Sequence, residues 1–134
     1  MIAADRFFDT NILLYLLSGD ASRADIAEQE LSGGGVISVQ VLNEFASVAT
    51  RKLGMSIAEI REVLTAVRAA CKVVPLDEET HDVGLQMAEK FQLSQYDAMI
   101  VASALLAECT ILLSEDLQDA QIFEGMLAVR NPFH

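Results

Sequence analysis

The chain shows its architecture in the segment Phe7-Phe8-Asp9-Thr10-Asn11-Ile12, where an apolar strand end passes through three polar residues into a helix. Further short apolar runs along the chain are followed by longer helical patterns in the same way. Short strands of this kind, separated by helices, predict a parallel sheet that is buried on both faces. We therefore expect an α/β fold, a single three-layer αβα domain over residues 1–134 with a short central parallel sheet.

Apolar periodicity and capping residues place the other elements. One strand is predicted to end at Phe8, and others are predicted at Val36–Ser38, Val73–Pro75, Ile111–Leu113 and Leu127–Val129. Helices are predicted over Ile12–Leu17, Ala21–Leu31, Gln40–Lys52, Ser56–Ala70, Asp77–Phe91 and Ser94–Glu108.

Composition restricts the functions that the chain can have. Hydrophobic residues make up 52% of it and the mean hydropathy is +0.34, which excludes intrinsic disorder. The net charge is −11, from 20 acidic and 9 basic residues. The negative electrostatic field of such a chain argues against tight, non-specific binding of nucleic acid. Metal ions or a local arginine patch can still bind phosphates. The charge also suits a basic protein partner.

The cysteines and the first residues indicate the compartment. Cys71 and Cys109 lack metal-ligand spacing, so we interpret them as buried thiols in a reducing environment. The first twenty residues have no basic region, and the run Ile12–Leu17 is too short for a signal peptide or a membrane span. We expect a cytoplasmic protein that makes no use of a membrane.

Four carboxylates occupy comparable positions after the predicted strands. Asp9 follows the first strand, Glu44 lies on the apolar side of the next helix, Asp97 opens a helix, and Asp116 follows the fourth strand. A helix cap explains Asp9 or Asp97 alone, and a solvated turn explains Asp116. Together, at the carboxyl edge of one sheet, they predict a cluster whose repulsion requires a cation. Oxygen ligands without His or Cys suit Mg²⁺ or Mn²⁺.

Four motifs give the chain a family resemblance. Phe8–Leu13, Asn43–Phe45, Tyr96–Ala102 and Leu113–Leu117 resemble the successive motifs of PIN domains, and more closely those of VapC-type toxins of type II toxin–antitoxin systems. The resemblance covers essentially the whole chain. It implies a metal-dependent endoribonuclease toxin, with Mg²⁺ or Mn²⁺ as cofactor, that cleaves RNA phosphodiester bonds by attack of water.

The resemblance also implies roles for individual residues and partners. Asp9, Glu44, Asp97 and Asp116 would be the catalytic and metal-ligating set, Thr10 and Ser114 would support it by hydroxyl hydrogen bonds, and Asp119 is an additional candidate. Ala120 stands where many relatives carry Gly. The implied partners are an RNA substrate, a cognate antitoxin protein and a second copy of the chain in a homodimer.

Other interpretations stay open at this point. Arg6, Arg51, Lys52, Arg61 and Arg68 are candidates for RNA contacts, or simply surface charges. A phosphatase-like domain with Asp9 as nucleophile needs a second Asp two positions later, where this chain has Asn11, and a Lys near the fourth strand. A catalytically silent PIN-like module that only binds protein is the other alternative, and the intact carboxylates argue against it. The sequence does not decide which RNA is cut, or whether one or two metal ions act.

Overall fold

A six-stranded sheet forms the centre of the computed structural model, which describes residues 4–134. The strands are β1 (Arg6–Phe8), β2 (Gly35–Ser38), β3 (Cys71–Val74), β4 (Ile111–Leu113), β5 (Ile122–Phe123) and β6 (Leu127–Arg130). The helices are α1 (Thr10–Leu14), which a 3₁₀ turn at Tyr15–Leu17 extends, α2 (Ala21–Ser32), α3 (Val39–Leu53), α4 (Ile57–Ala70), α5 (Glu78–Phe91) and α6 (Gln95–Leu106). The strand order is β3-β2-β1-β4-β6-β5.

Strand β1 is an inner strand of the sheet and pairs in parallel with β2 on one side and β4 on the other. Phe7 lies opposite Val36 in one pairing and opposite Leu112 in the other. From β1 the chain moves outward to β2 and β3, and then returns to β4 on the other side of β1. The topological switch point, where open α/β sheets bind ligands, therefore lies between the carboxyl ends of β1 and β4.

The helices cover both faces of the sheet. Because parallel crossovers are right-handed, α1 to α4, which connect β1 to β3, lie on one face, and α5 and α6 lie on the other. In agreement, α3 contacts α1 and α4, whereas α5 and α6 pack on each other. The three-layer fold that the sequence predicts is confirmed, with a central sheet that is mostly parallel.

Side-chain caps fix the ends of the helices that carry the site. Ser38 accepts a hydrogen bond from the Val41 amide at the start of α3, and Gly54 ends that helix in the left-handed region at φ 62°. Helix α4 begins with a capping box, in which Ser56 and Glu59 each accept a hydrogen bond from the other's backbone amide.

The strand predictions need two corrections. The third strand begins earlier than predicted, at Cys71, and ends before Pro75, which has no amide to continue the ladder. Strand β5, which has two residues and an exposed Ile122, was not predicted. Because β5 pairs antiparallel with β6, the sheet is not wholly parallel.

Two helices are shorter than predicted. The first has α-helical geometry only to Leu14, and the residues to Leu17 form a 3₁₀ turn. Helix α6 ends at Leu106, because Glu108 adopts a left-handed conformation at φ 60°.

Both cysteines are free and buried, as predicted, and burial raises the pKa of the Cys71 and Cys109 thiols to about 11. No helix in the described part of the chain combines the length and the hydrophobicity that crossing a membrane requires.

The first prediction concerns Gly35, the residue that lets β1 and β2 approach each other. A Cβ atom at this position would overlap the Phe8 ring and lie 2.9 Å from the Arg6 carbonyl oxygen. We expect Gly35→Ala to lower the free energy of unfolding by about 1–3 kcal/mol, measured by urea denaturation. The control is Gly19→Ala, where an added Cβ meets nothing within 4 Å. Equal losses in the two variants would contradict the packing argument.

Candidate active site

Asp9 and Ser114 meet at the switch point between β1 and β4. Phe8 lies opposite Leu113 in the parallel register, so the two following residues are neighbours. The Asp9 amide donates to the Leu113 carbonyl at 3.0 Å, and the Ser114 hydroxyl donates to Asp9 Oδ2 at 2.8 Å. Both side chains are buried, with Asp9 only 4% exposed.

Asp9 is also the N-cap of α1, so the two roles that the sequence offered for it are compatible. Its Oδ1 accepts the Thr10 amide at 2.7 Å. Burial raises the pKa of Asp9 to about 7; the hydrogen bonds from Ser114 and Thr10 oppose this shift, and the charges of Asp116 and Asp97 add to it. Within residues 4–134, no Lys, Arg or His forms a salt bridge with Asp9.

Asn11 holds Asp116 beside this buried carboxylate. Its Nδ2 donates to Asp116 Oδ2 at 3.1 Å, and its Oδ1 accepts the Glu115 amide at 3.3 Å. The Ser114 hydroxyl oxygen accepts the Asp116 amide at 3.1 Å. The sequence analysis missed this role of Asn11. The available signal was an Asn in the first turn of a helix, where this residue type is a poor helix former.

Glu44 lies in the middle of α3, where it accepts hydrogen bonds from α1 and from its own helix. Thr10 Oγ1 donates to its Oε2 at 3.0 Å, and Gln40 Nε2 donates to its Oε1 at 2.6 Å. The same Gln40 nitrogen donates to the Tyr96 carbonyl at 3.1 Å, which ties α3 to the start of α6. Gln40 is buried and was also missed, although its i, i+4 spacing from Glu44 was visible in the sequence.

Asp97 lies in the first turn of α6, where its amide donates to the Ser94 hydroxyl at 3.2 Å. Partial burial raises its pKa, and the charges of Asp116 and Glu44 raise it further. The helix cap that the sequence offered as an explanation for Asp97 is therefore present, but in the described chain Asp97 does not accept the return hydrogen bond from the Ser94 amide that would complete a capping box.

The charges of Asp97 and Asp116 thus act on Asp9, and the charges of Asp116 and Glu44 act on Asp97. Their donor set, carboxylate oxygens alone, has the chemistry that Mg²⁺ and Mn²⁺ prefer. Among the described residues, however, no three Asp, Glu, His or Cys side chains are grouped closely enough to hold a metal ion. The carboxylates instead accept hydrogen bonds from neutral donors, and their role as ligands stays a prediction.

The remaining acidic residues near the site have other partners. Asp119 accepts the Asn131 amide at 2.9 Å and lies 3.6 Å from the His134 ring, against the last residues of the chain. Glu115 accepts a hydrogen bond from the Tyr15 hydroxyl at 2.7 Å and lies 3.5 Å from Arg23. Ala120, which stands where many relatives have Gly, adopts φ 70°, a conformation that glycine adopts without strain.

Comparison with protein families and curated proteins gives one match. A family model for the PIN domain matches residues 6–122, which include all four carboxylates. No curated protein sequence matches the chain.

Solved structures with the same fold confirm the predicted architecture. A toxin–antitoxin complex from Klebsiella pneumoniae aligns with a TM-score of 0.70 and 23% identity, over 95% of this chain and 97% of that one. The DNA-bound VapBC of Salmonella typhimurium aligns with a TM-score of 0.68 and 15% identity, over 98% and 99% of the two chains. VapC20 of Mycobacterium tuberculosis, a sarcin-ricin loop cleaving toxin, aligns with a TM-score of 0.58 and 17% identity, over 80% and 86%.

The second prediction follows from the raised pKa of Asp9. Its ordinary pKa is 3.8 and its pKa in the folded protein is about 7, so the folded state binds more protons between these values. Without divalent cations, the free energy of unfolding should therefore fall as pH rises from about 4 to 7, by a few kcal/mol. Urea denaturation in EDTA measures this slope.

Two comparisons identify the group responsible for the slope. Asp9→Asn should flatten the profile, whereas Asp25→Asn, which changes an exposed acid on α2, should not. A divalent cation that binds the carboxylates should also flatten it, because it favours the charged form. An unchanged slope in Asp9→Asn would contradict the assignment.

Proposed function

Since the chain belongs to the PIN-domain family, we propose that it is a divalent-metal-dependent endoribonuclease of the VapC type, acting as the toxin of a toxin–antitoxin pair. The observation that carries the proposal is the hydrogen bonding at the switch point of the sheet, where Ser114 bonds to both Asp9 and Asp116, and Thr10 bonds to both Asp9 and Glu44. Asp9 is buried there without a cationic partner among residues 4–134, and the charges of Asp97 and Asp116 raise its pKa further. Such perturbed acids are typical of functional sites.

Asp9, Glu44, Asp97 and Asp116 would hold Mg²⁺ or Mn²⁺. When bound, the cation would supply an activated water and stabilise the charge that develops on the phosphate and the leaving oxygen.

The chain's own residues position the acids for this role. The Thr10 amide and the Ser114 hydroxyl each donate to one oxygen of Asp9, which fixes the plane of its carboxylate. The Thr10 hydroxyl orients Glu44, and the Asn11 amide orients Asp116. Supporting hydrogen bonds of this kind commonly contribute about 10–100-fold to activity or metal affinity.

RNA as the substrate is supported by one of the neighbours. VapC20 of Mycobacterium tuberculosis is described as cleaving the sarcin-ricin loop. We propose the same class of substrate for this chain, an RNA phosphodiester that water attacks, and not the same RNA.

An antitoxin partner and a homodimer belong to the proposal as well. The Klebsiella pneumoniae structure is a toxin–antitoxin complex, and the VapBC of Salmonella typhimurium was solved bound to DNA. The net charge of −11 suits a partner with basic side chains. Such side chains would neutralise Asp9 and the other carboxylates of the candidate site.

The third prediction tests the chemistry. Incubated with total cellular RNA and Mn²⁺, the purified chain should produce discrete fragments with 5′-phosphate and 3′-hydroxyl ends, detected by sequencing of adaptor-ligated ends. EDTA and Asp9→Asn should each abolish cleavage. The matched control Asp25→Asn, which also removes one acidic side chain, should still cleave. Cleavage that persists in EDTA would overturn the metal-dependent mechanism. Absence of cleavage across all RNAs would favour the silent protein-binding module.

The fourth prediction tests the role as a toxin. Induced expression of the chain in a bacterium should arrest growth, because RNA cleavage stops protein synthesis. Asp116→Asn should relieve the arrest at an equal protein level, which immunoblotting checks, while Asp25→Asn should not. Arrest by both variants would show that the toxicity does not depend on the candidate site.

A further inference from the structure

An open cavity of about 550 Å³ lies beside Glu44, between α3 and the start of α6. Its size is within the range of small-molecule and nucleotide sites. Glu44 is both a wall residue of this cavity and one of the four candidate carboxylates, so the cavity borders the candidate active site. Its walls are formed by Gln40, Asn43, Glu44, Ser47, Val48, Arg51, Leu76 and Tyr96.

Tyr96 gives one wall of this cavity an exposed aromatic ring. The residue is 73% exposed, and Leu76 beside the same cavity is 42% exposed. The Tyr96 hydroxyl has no hydrogen-bond partner in the part of the chain described, so neither core packing nor polar bonding explains the ring. Its backbone is nevertheless fixed, because the buried Gln40 amide joins the Tyr96 carbonyl to Glu44. The ring is therefore attached at a defined position relative to a candidate catalytic carboxylate.

Arg51 gives the cavity a positive charge that no carboxylate of residues 4–134 neutralises. Its Nε donates to the Ser47 hydroxyl at 3.0 Å, which orients the guanidinium along α3. Arg6, Arg23, Lys90 and Arg130 all lie within 4.0 Å of a carboxylate oxygen, and of the described Lys and Arg residues only Arg51 is on the wall of this cavity. In a chain of net charge −11, an unpaired guanidinium on a cavity wall is available for a phosphate.

The combination of groups matches an unpaired RNA nucleotide better than a protein segment. Unstacked bases of RNA stack on aromatic side chains and hydrogen-bond through their edges to polar groups, and Asn43 offers an amide that is not used by other described residues. A base in a duplex is already stacked on both sides. An amphipathic protein helix would need a continuous apolar groove, whereas this cavity includes an amide, a carboxylate and a guanidinium.

We propose that this cavity binds one unpaired nucleotide of the RNA, adjacent to the bond that is cut, with its base stacked on Tyr96 and its phosphate on Arg51. The inference rests on the proposed nuclease function and adds a determinant of specificity to it. RNA that presents an unpaired nucleotide at this point is bound, and fully paired RNA is not.

Binding is measured in a background of Asp9→Asn with Mg²⁺, where cleavage does not interfere. The probe is a fluorescein-labelled twelve-nucleotide oligo(A) RNA, followed by anisotropy. Tyr96→Ala should weaken binding by about 5- to 100-fold, because the stacking surface is lost, while Tyr96→Phe keeps the ring and should bind as the background does. The same RNA annealed to its complement should bind weakly and equally to all these proteins.

The contribution of Arg51 is tested separately, through the dependence of RNA binding on salt concentration. Arg51→Gln should weaken binding and lower the slope of log K against log salt by about 0.7, the value for one phosphate contact to a single strand. Arg61→Gln removes an equal charge from α4, away from the cavity, and should leave the slope unchanged.

The outcomes separate this inference from the function on which it rests. If the chain cleaves RNA and Tyr96→Ala changes neither binding nor KM, the inference is overturned and the nuclease function stands. If the background protein binds no RNA and the unsubstituted chain cleaves none, both are overturned. If Tyr96→Ala instead converts a dimer to a monomer in sedimentation, the ring belongs to an interface between copies and the inference is wrong. An increase in KM at nearly constant kcat, reversed in Tyr96→Phe, supports it.

Discussion

The parallel pairing of β1 with both β2 and β4 is the constraint on which the candidate site depends. Phe7 and Phe8 are fully buried on opposite faces of the sheet, and a shift of the register by one residue would bring Arg6 or Asp9 into one of their apolar positions. The core therefore permits one register, and that register places Asp9 next to Ser114 where the two strands end. The hydrophobic core thus determines the position of the first carboxylate, before any polar contact is considered.

In the described chain, the hydrogen bonds to the carboxylates of the candidate site come from neutral groups, and the absence of charged donors among them has a chemical consequence. Thr10 and Ser114 donate to Asp9, Gln40 donates to Glu44, and Asn11 donates to Asp116. Arginine or lysine in these positions would satisfy the carboxylates and cancel their charge. Neutral donors orient the oxygens without cancelling the negative charge, so the burial of Asp9 and its repulsion by neighbouring acids lower folding stability.

The alternation of short strands and helices was sufficient to predict the fold, because each element carries its own periodicity. The two-residue strand β5 is too short to show a periodicity, and it was not predicted. Among the site residues, Asp9 and Glu44 were predicted from their positions at a strand end and on an apolar helix face. The bond from Asn11 to Asp116 joins residues 105 apart in the sequence and depends on rotamers, so a local pattern could single out Asn11 but could not identify its partner.

The distribution of charge limits how a protein of this kind can recognise RNA. A net charge of −11 repels phosphates at long range, so electrostatic steering would not bring an RNA to the candidate site. The last turn of α3 places Arg51 and Lys52 on two different cavities, one bordered by Glu44 and the other by Asn11. In the proposed ribonuclease, recognition would then depend on short-range contacts at these two places, because stacking and single ion pairs act over distances that salt screens least. Weak attraction to nucleic acid in general would leave these local contacts to decide which RNA such an enzyme cleaves.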